Sequence, residues 1–121
     1  KFKKNCLLLK KNLKNKLLQF KKENKKICGY AATSKSTTIL NYCKIGPDLI
    51  NYITDTTPEK IGKYSPGMHI PIINHKNFLK NKPDIAVLFA WNHQKEIFKK
   101  EKNFRKKNGK WLTFFPNIKA W

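Results

Sequence analysis

Residues 26–43, KICGYAATSKSTTILNYC, join an apolar segment to a helical pattern through hydroxyl side chains and one lysine. The apolar run over residues 26–31 predicts a buried strand, and Ile39, Leu40 and Cys43 recur at helical spacing. The connecting turn therefore lies at the start of a helix. There the first backbone N–H groups lack partners within the helix, and the helix dipole favours an anion. We predict that this turn binds phosphate.

The side chains of the turn support the same prediction. The ammonium group of a lysine and several hydroxyls could donate hydrogen bonds to a diphosphate. Serine and threonine are also preferred helix caps, so a purely structural role stays open. The predicted diphosphate contacts are Ser34, Lys35, Ser36, Thr37 and Thr38.

Two general nucleotide-binding motifs come close to this stretch, and both fail. A P-loop requires a second glycine before its Lys–Ser pair, where this chain has Ser34. The dinucleotide fingerprint requires glycines at the positions of Ala31 and Ser34, although Gly29 leaves a tight first turn possible. An ATPase and an NAD-dependent enzyme are therefore disfavoured.

The rest of the chain alternates between helical and strand patterns. Apolar residues three or four apart predict an amphipathic N-terminal helix that covers one face of a sheet, with the stripe Cys6, Leu9, Leu13, Leu17 and Phe20. Another helix is predicted over residues 94–107. Apolar segments predict four more strands, at residues 50–55, 70–73, 84–90 and 111–115.

These elements predict an α/β fold, a Rossmann-like doubly wound sheet of five mostly parallel strands in the order 3-2-1-4-5. A chain of 121 residues fits one modest core. We expect residues 1–24 to form the N-terminal helix and residues 25–121 the Rossmann-like domain. Ligands of such sheets bind where the strand order reverses, which would bring the phosphate-binding turn beside Trp91 and Asn92.

Other side chains near that crevice are candidate ligand contacts. Trp91 or Tyr30 could stack on a base or cover a sugar, although large aromatic residues also build cores. Asp55 follows the second strand and could accept hydrogen bonds from a ribose; a turn-stabilising aspartate is the open alternative. Tyr64 lies in a loop rich in Gly and Pro that could fold over a ligand.

Three histidines could supply a general base near neutral pH. His69 and His93 flank the expected site and are weak catalytic candidates. We expect His75 to be a surface residue at a helix start. No catalytic residue is assigned more firmly than this.

Ordered blocks of the sequence resemble the C-terminal domain of sugar C-methyltransferases. Those enzymes depend on S-adenosylmethionine (SAM) and methylate a carbon of a nucleotide-linked deoxysugar. The blocks are GYAA at residues 29–32 with the Lys35 turn, LNYCKIGPDLI at 40–50, DTTP at 55–58, GKYSPGMHIPI at 62–72 and AWN at 90–92. The family commonly has glycine where this chain has Ala31 and Ser36. The resemblance implies a nucleoside diphosphate sugar as ligand, with Gly29, Tyr30 and Asn41 in its site.

The resemblance also implies a larger enzyme with a zinc-binding segment, a SAM-binding methyltransferase domain and this C-terminal domain. The chain opens at Lys1 without a methionine, which suggests a fragment. Because Cys6, Cys28 and Cys43 form no Cys-x-x-Cys pair, no metal site is expected. The expected partner is the N-terminal methyltransferase domain of the same polypeptide. SAM would be the cofactor of the full-length enzyme and would not be bound by this fragment, which we expect to be inactive alone.

The composition supports one alternative function. A formal net charge of +20 could mark a stand-alone basic module that binds nucleic acid or a phosphorylated ligand. Lysines supply nearly all of that charge, and Arg105 is the only arginine, whereas base recognition favours arginine forks. We therefore expect only non-specific affinity for nucleic acid. The absence of a long apolar run, of a signal peptide and of a disulfide framework predicts a soluble cytoplasmic protein without membrane association.

Overall fold

The computed structural model describes residues 2–114 and 118–121, with side chains from Leu7 onward in those ranges. Six strands form a single sheet in the order β3-β2-β1-β4-β5-β6. The strands are β1 (Ile27–Tyr30), β2 (Tyr52–Asp55), β3 (Ile72–Asn74), β4 (Ile85–Leu88), β5 (Lys110–Thr113) and β6 (Lys119–Ala120). The first five are parallel, and β6 pairs antiparallel with β5. The predicted order of the first five strands is confirmed, whereas the prediction of only five strands is wrong.

The helices are α1 (Phe2–Lys22), α2 (Ser34–Cys43), α3 (Gln94–Lys100) and α4 (Lys102–Lys106), with short 3₁₀ turns at His75–Asn77 and Trp91–His93. The single helix predicted over residues 94–107 is therefore wrong. The chain leaves helical geometry at Glu101, where ψ is 32°. The carboxylate of Glu101 makes hydrogen bonds with two buried or half-buried side chains instead.

One face of the sheet is covered by α1 and α2. Leu13 and Leu17 of α1 are fully buried in a cluster with Ile53 and Val87 of the sheet. Burying each leucine side chain contributes roughly 1.5–3 kcal/mol, so the apolar stripe is what holds α1 on the sheet. Leu13, Leu17 and Phe20 of the predicted stripe are buried in this cluster, and the side chain of Cys6 lies outside the described residues.

The opposite face carries an aromatic cluster. Tyr30 makes edge contacts with Phe78 and Trp111, and Phe104 of α4 packs on both of these rings. Aromatic pairs in such arrangements add roughly 0.5–1.5 kcal/mol beyond the area that they bury. This face is therefore filled by side chains, and it fixes α4 against the sheet.

The carboxyl ends of the central strands lie side by side. Tyr30 at the end of β1 is in register with Thr54 of β2 and Leu88 of β4. The connections that follow β1, β2 and β4 therefore leave the sheet at one edge. The predicted strand at residues 111–115 ends at Thr113, and Phe115 lies outside the described residues. Within the described chain, no helix has the length and apolar character needed to cross a membrane.

Gly29 lies inside β1, so the tight turn that the sequence left possible at this glycine does not form. A Cβ atom there would lie 3.2 Å from side-chain atoms of both Ile53 and Phe89. Gly29 therefore allows close packing on the helix-covered face. The turn residue with a left-handed backbone conformation is Ala31, which has φ of 75°.

Candidate functional site

The turn between β1 and α2 is held by the end of β2. The N–H of Ala31 donates to the carbonyl oxygen of Thr54 at 2.8 Å, and the N–H of Ala32 donates to Asp55 Oδ2 at 2.6 Å. Lys60 Nζ donates to the carbonyl oxygen of Ala32 at 2.6 Å. Three bonds therefore fix two consecutive residues of the turn that leads into α2.

The start of α2 combines a closed cap with free donors. Thr33 Oγ1 accepts from the N–H of Ser36 at 3.1 Å, and the Ser36 hydroxyl donates to the carbonyl oxygen of Thr33 at 2.7 Å. The Thr38 hydroxyl donates to the carbonyl oxygen of Ser34 at 3.0 Å. The N–H groups of Ser34 and Lys35 make no hydrogen bond to any residue that the structure describes. An anion could therefore approach the helix start at these two N–H groups.

Asp55 is a turn aspartate in this structure. Its Oδ1 accepts from the N–H of Thr57 at 2.7 Å, while its Oδ2 accepts from the N–H of Ala32. Burial alone would raise the pKa of Asp55, but the backbone bonds from Thr57 and Ala32, the Thr57 side chain and the charge of Lys60 hold it below its usual range. The carboxylate is therefore an ionised tie between two connections, as the second sequence alternative proposed. The residue is only 7% exposed, which leaves little room for a ribose.

A cleft of about 380 Å³ opens between α2 and the β2–β3 loop, and we call it the α2 cleft. Its helix side is formed by Ser34 and Thr37, which are among the predicted contacts. Lys60 and Lys63 lie opposite, and Glu59 adds one negative charge. The remaining lining residues are Ala32, Thr33, Tyr64, Ser65, Pro66 and Ile72. Positive charge therefore exceeds negative charge at this cleft.

The loop that borders the α2 cleft is tied to the helix by Asn41. Asn41 Nδ2 donates to the carbonyl oxygens of Thr37 at 3.0 Å and of Pro66 at 3.1 Å. Gly67 has φ of 85°, and a Cβ atom there would collide with the Asn41 side chain. Tyr64, 62% exposed, lies on this loop at the cleft. Asn41 thus shapes the cleft by holding the loop.

Lys35 points to the other side of the helix start. Its Nζ lies 4.3 Å from the centre of the Trp91 ring, a cation–π contact. Trp91 and Asn92 begin a second cleft of about 400 Å³, which we call the Trp91 cleft and which continues through His93, Gln94, Lys95 and Glu96. The structure therefore brings the helix start beside Trp91, as the strand order predicted.

Tyr30 is placed differently from the other candidates. It is buried among the aromatic residues of the opposite sheet face, and its hydroxyl donates to Glu101 Oε2 at 2.5 Å. Burial, together with the bond to and the charge of Glu101, raises the pKa of Tyr30 above its usual range. Tyr30 does not line either of the two clefts.

The histidines fall into two groups. His69 is exposed on the β2–β3 loop, and His93 is exposed in the Trp91 cleft. The expectation that His75 is a surface residue is wrong. His75 is only 14% exposed in its side chain and bonds both Thr54 and Glu101.

The thiols offer no reactive group among the described side chains. Cys28 and Cys43 are both buried. Burial raises the pKa of Cys28 to about 12, so the thiol stays protonated. No cluster of metal-binding side chains occurs among the residues with described side chains.

The sequence analysis missed Lys60 and Lys63 as candidate site residues. Both belong to the loop that was expected to fold over a ligand, and they are three residues apart. A search for positive charge in that loop would have found them. Asp55 bonds Ala32, which is 23 positions away in the sequence, so residue spacing could not predict this hydrogen bond.

The fold and the two clefts define a mixed α/β domain with a candidate binding site at the carboxyl edge of its sheet. The sequence model of one family, the C-methyltransferase C-terminal domain, matches residues 1–116. The chain is also 35% identical over 94 residues to the C-methyltransferase NovU of Streptomyces niveus. The chain therefore belongs to the family of C-methyltransferase C-terminal domains. The match covers 78% of this chain and 22% of the relative, so the chain spans about a fifth of that protein's length.

Proposed function

We propose that this chain is the substrate-holding domain of a SAM-dependent C-methyltransferase and that it binds a nucleoside diphosphate sugar. The carrying observation is that two clefts flank one helix start with free N–H groups. The diphosphate binds at Ser34 and Lys35. The two ends of the ligand lie in the α2 cleft and in the Trp91 cleft.

The shape of this ligand supports the proposal. A nucleoside diphosphate sugar has a ring system on each side of a diphosphate, and the structure has a cleft on each side of the anion-binding N–H groups. Cleft volumes of about 380 and 400 Å³ fall within the range of small-molecule sites. Tyr64 covers one ligand ring, and the Trp91 face stacks on the other.

Charge supports it as well. Lys35 reaches the diphosphate by moving away from the Trp91 ring, while Lys63 approaches from the α2 cleft. Lys60 acts indirectly, since its ammonium group already binds the carbonyl oxygen of Ala32. Glu59 in the α2 cleft can accept hydrogen bonds from the hydroxyl groups of whichever ligand ring lies there.

The remaining chemistry belongs to another part of the enzyme. We propose that an N-terminal methyltransferase domain of the same polypeptide binds SAM and supplies the base, with His69 and His93 as weaker candidates. SAM fits this chain poorly, because Asp55, the acidic residue placed to bind its ribose, is buried and already bonded by two N–H groups. This chain's own contribution is to orient the sugar, which lowers the entropic part of the barrier.

The architecture and compartment are part of the same proposal. We propose that residues 25–121 act as a Rossmann-like unit that uses the crevice at its strand-order reversal, with α1 in residues 1–24 as its packed cover. The buried thiol of Cys28 is suited to a reducing cytoplasm.

The rival function is a stand-alone basic module that binds nucleic acid or a phosphorylated ligand through the surplus lysines. The salt dependence of binding distinguishes the two functions. Each phosphate contact with nucleic acid releases a counterion, so the affinity for nucleic acid falls steeply with ionic strength. A ligand with two phosphates in a cleft loses much less affinity. Our proposal predicts that heparin and generic DNA retain the chain at low salt and that the chain prefers no particular DNA sequence. A single DNA or RNA sequence bound about a thousandfold more tightly than random sequence favours the rival.

A matched pair of lysine substitutions tests the proposed site. Because a charge-assisted phosphate contact contributes roughly 1.5–3 kcal/mol, Lys35→Ala should weaken binding of a nucleoside diphosphate sugar about ten- to a hundredfold in calorimetric titration. Lys102→Ala removes the same charge from the exposed side of α4 and should change little. Equal losses from both substitutions indicate diffuse attraction and overturn the site.

A further inference from the structure

Four polar side chains form a network beneath the β1–α2 turn, and we call it the Glu101 network. Glu101 Oε2 accepts from the Tyr30 hydroxyl at 2.5 Å and bonds His75 Nε2 at 2.6 Å. His75 Nδ1 bonds the Thr54 hydroxyl at 2.9 Å. With Nε2 protonated, His75 donates to Glu101 and accepts from Thr54, so every bond has one donor and one acceptor. Nothing in the proposed function uses these groups.

The network has the order of a hydrolytic triad but cannot act as one. Thr54 would be the nucleophile, His75 the base and Glu101 the group that orients the base. Thr54 is 1% exposed, and its hydroxyl lies inside the aromatic face of the sheet. Because a substrate cannot reach this hydroxyl, the network acts on the protein itself.

The network joins three separate parts of the chain. Glu101 lies at the junction of α3 and α4, His75 directly follows β3, and Tyr30 ends β1. Buried hydrogen bonds of this kind are costly to break, because removing one partner leaves the other buried without a hydrogen bond. The network therefore fixes Tyr30 relative to Thr54, whose backbone carbonyl also binds the next residue, Ala31.

The position of Tyr30 affects the conformation of the next residue, Ala31. A residue with a side chain pays roughly 1–2 kcal/mol to occupy the left-handed region, so the turn relaxes unless neighbouring bonds hold it. Tyr30 holds the turn from the strand side, and Asp55 holds Ala32 from the loop side. The N–H groups of Ser34 and Lys35 follow immediately.

We propose that Glu101 is a positioning residue for the phosphate-binding turn. Its carboxylate, acting through Tyr30 and His75, keeps Ala31 in its strained conformation and so keeps the donors at the start of α2 aimed at the ligand. This inference rests on the proposed function for its ligand. It adds a residue on the opposite sheet face, distant in sequence from every candidate contact of the turn.

The test replaces the carboxylate with an amide of the same size. Glu101→Gln keeps a hydrogen-bonding group but loses the charge that strengthens both bonds, so binding of a nucleoside diphosphate sugar should weaken roughly fivefold, about 1 kcal/mol. The matched control is Asp84→Asn. Asp84 Oδ2 binds the N–H of Lys26 at the opposite end of the sheet, so this variant changes the net charge equally and should leave affinity unchanged.

Rescue separates positioning from general loss of stability. In an Ala31→Gly background the turn is no longer strained, so Glu101→Gln should cost less than about twofold in affinity. A fivefold loss in both backgrounds overturns the role of the turn. An equal loss from Asp84→Asn shows general destabilisation and overturns the proposal.

A second readout is independent of ligand binding. In ¹⁵N-labelled protein without ligand, Glu101→Gln should shift the backbone amide signals of Ala32 and Thr33, whereas Asp84→Asn should not. If the unsubstituted chain binds no nucleoside diphosphate sugar, the proposed function fails while these shifts still support the coupling. Unchanged signals at both residues overturn the coupling whatever the ligand is.

Discussion

At the scale of single residues, Ala31 shows how the site departs from a relaxed backbone. It follows a buried strand, has φ of 75° and is held by a bond to Thr54. The resemblance described in the sequence analysis implies glycine at this position, and glycine adopts this conformation without steric cost. The positive φ of Ala31 gives a physical reason why glycine would suit this position.

Replacing Ala31 with glycine should stabilise the protein. The substitution removes roughly 1–2 kcal/mol of steric strain from the folded state. Glycine also stabilises the unfolded chain through its greater conformational freedom, but only by roughly 0.4–1 kcal/mol. We expect Ala31→Gly to raise the free energy of unfolding in urea by roughly 0.5–1 kcal/mol. Ala32→Gly, at a neighbour without positive φ, should lower it instead. A loss of stability in both variants would contradict the account.

Asp55 makes stability depend on pH. Its pKa is lowered in the folded protein, so its contribution is fully present above the unfolded value, 3.8, and is lost as pH falls through the folded value. Asp55→Asn should cost about 2 kcal/mol at neutral pH, because hydrogen bonds to a charged acceptor are lost. The difference from the unsubstituted protein, measured by urea unfolding, should shrink below about pH 4. A difference that stays constant down to pH 3 would refute the ionised tie.

At the scale of elements, the β2–β3 loop and α2 form one unit. Asn41 bonds Pro66 of the loop, and Gly67 lies against the same side chain. The sequence predicted a loop rich in Gly and Pro here, and Gly67 in that loop has a positive φ. The sequence could not predict the helix as the loop's partner, because Asn41 and Pro66 are 25 positions apart.

Two glycines of this loop provide a matched comparison. Gly62 and Gly67 both have positive φ, but a Cβ at Gly62 meets nothing within 4 Å, whereas one at Gly67 collides with Asn41. Gly67→Ala should therefore destabilise the protein by roughly 1–3 kcal/mol more than Gly62→Ala in urea unfolding. The extra cost should disappear in an Asn41→Ala background. Equal costs for the two glycines would show that the loop does not depend on this contact.

The α3–α4 region shows a second limit of sequence patterns at this scale. Helical spacing extended across Glu101, so one helix was predicted over residues 94–107. The structure ends α3 at Lys100 and directs Glu101 to Tyr30 and His75. A buried tertiary bond competes with local helical preference, and periodicity does not report such partners.

At the scale of the whole molecule, the sheet was largely predictable. Apolar runs located five strands, and the handedness of their crossovers fixed the order that the structure confirms. The sequence did not predict the sixth strand, because Lys119–Ala120 is too short to show an alternation of apolar and polar residues. Its position depends on backbone bonds between Trp111 and Trp121, ten positions apart.

The candidate site was predictable in part. Strand order placed the helix start beside Trp91, and the structure brings Lys35 onto that ring. The α2 cleft, with Lys60 and Lys63, depends on how the β2–β3 loop folds back on the helix. Side chains and loops that meet only in the folded protein leave no periodic signal, so the Glu101 network could not be predicted either.

The central claim is that a nucleoside diphosphate sugar binds across the start of α2. The most direct test is a titration of the ¹⁵N-labelled chain with such a ligand, followed through the backbone amides and the tryptophan indole signals. The account predicts that the amides of Ser34 and Lys35 and the indole of Trp91 shift together and saturate with one dissociation constant. Shifts that spread over the lysines of α1 and α4 without saturating would contradict it.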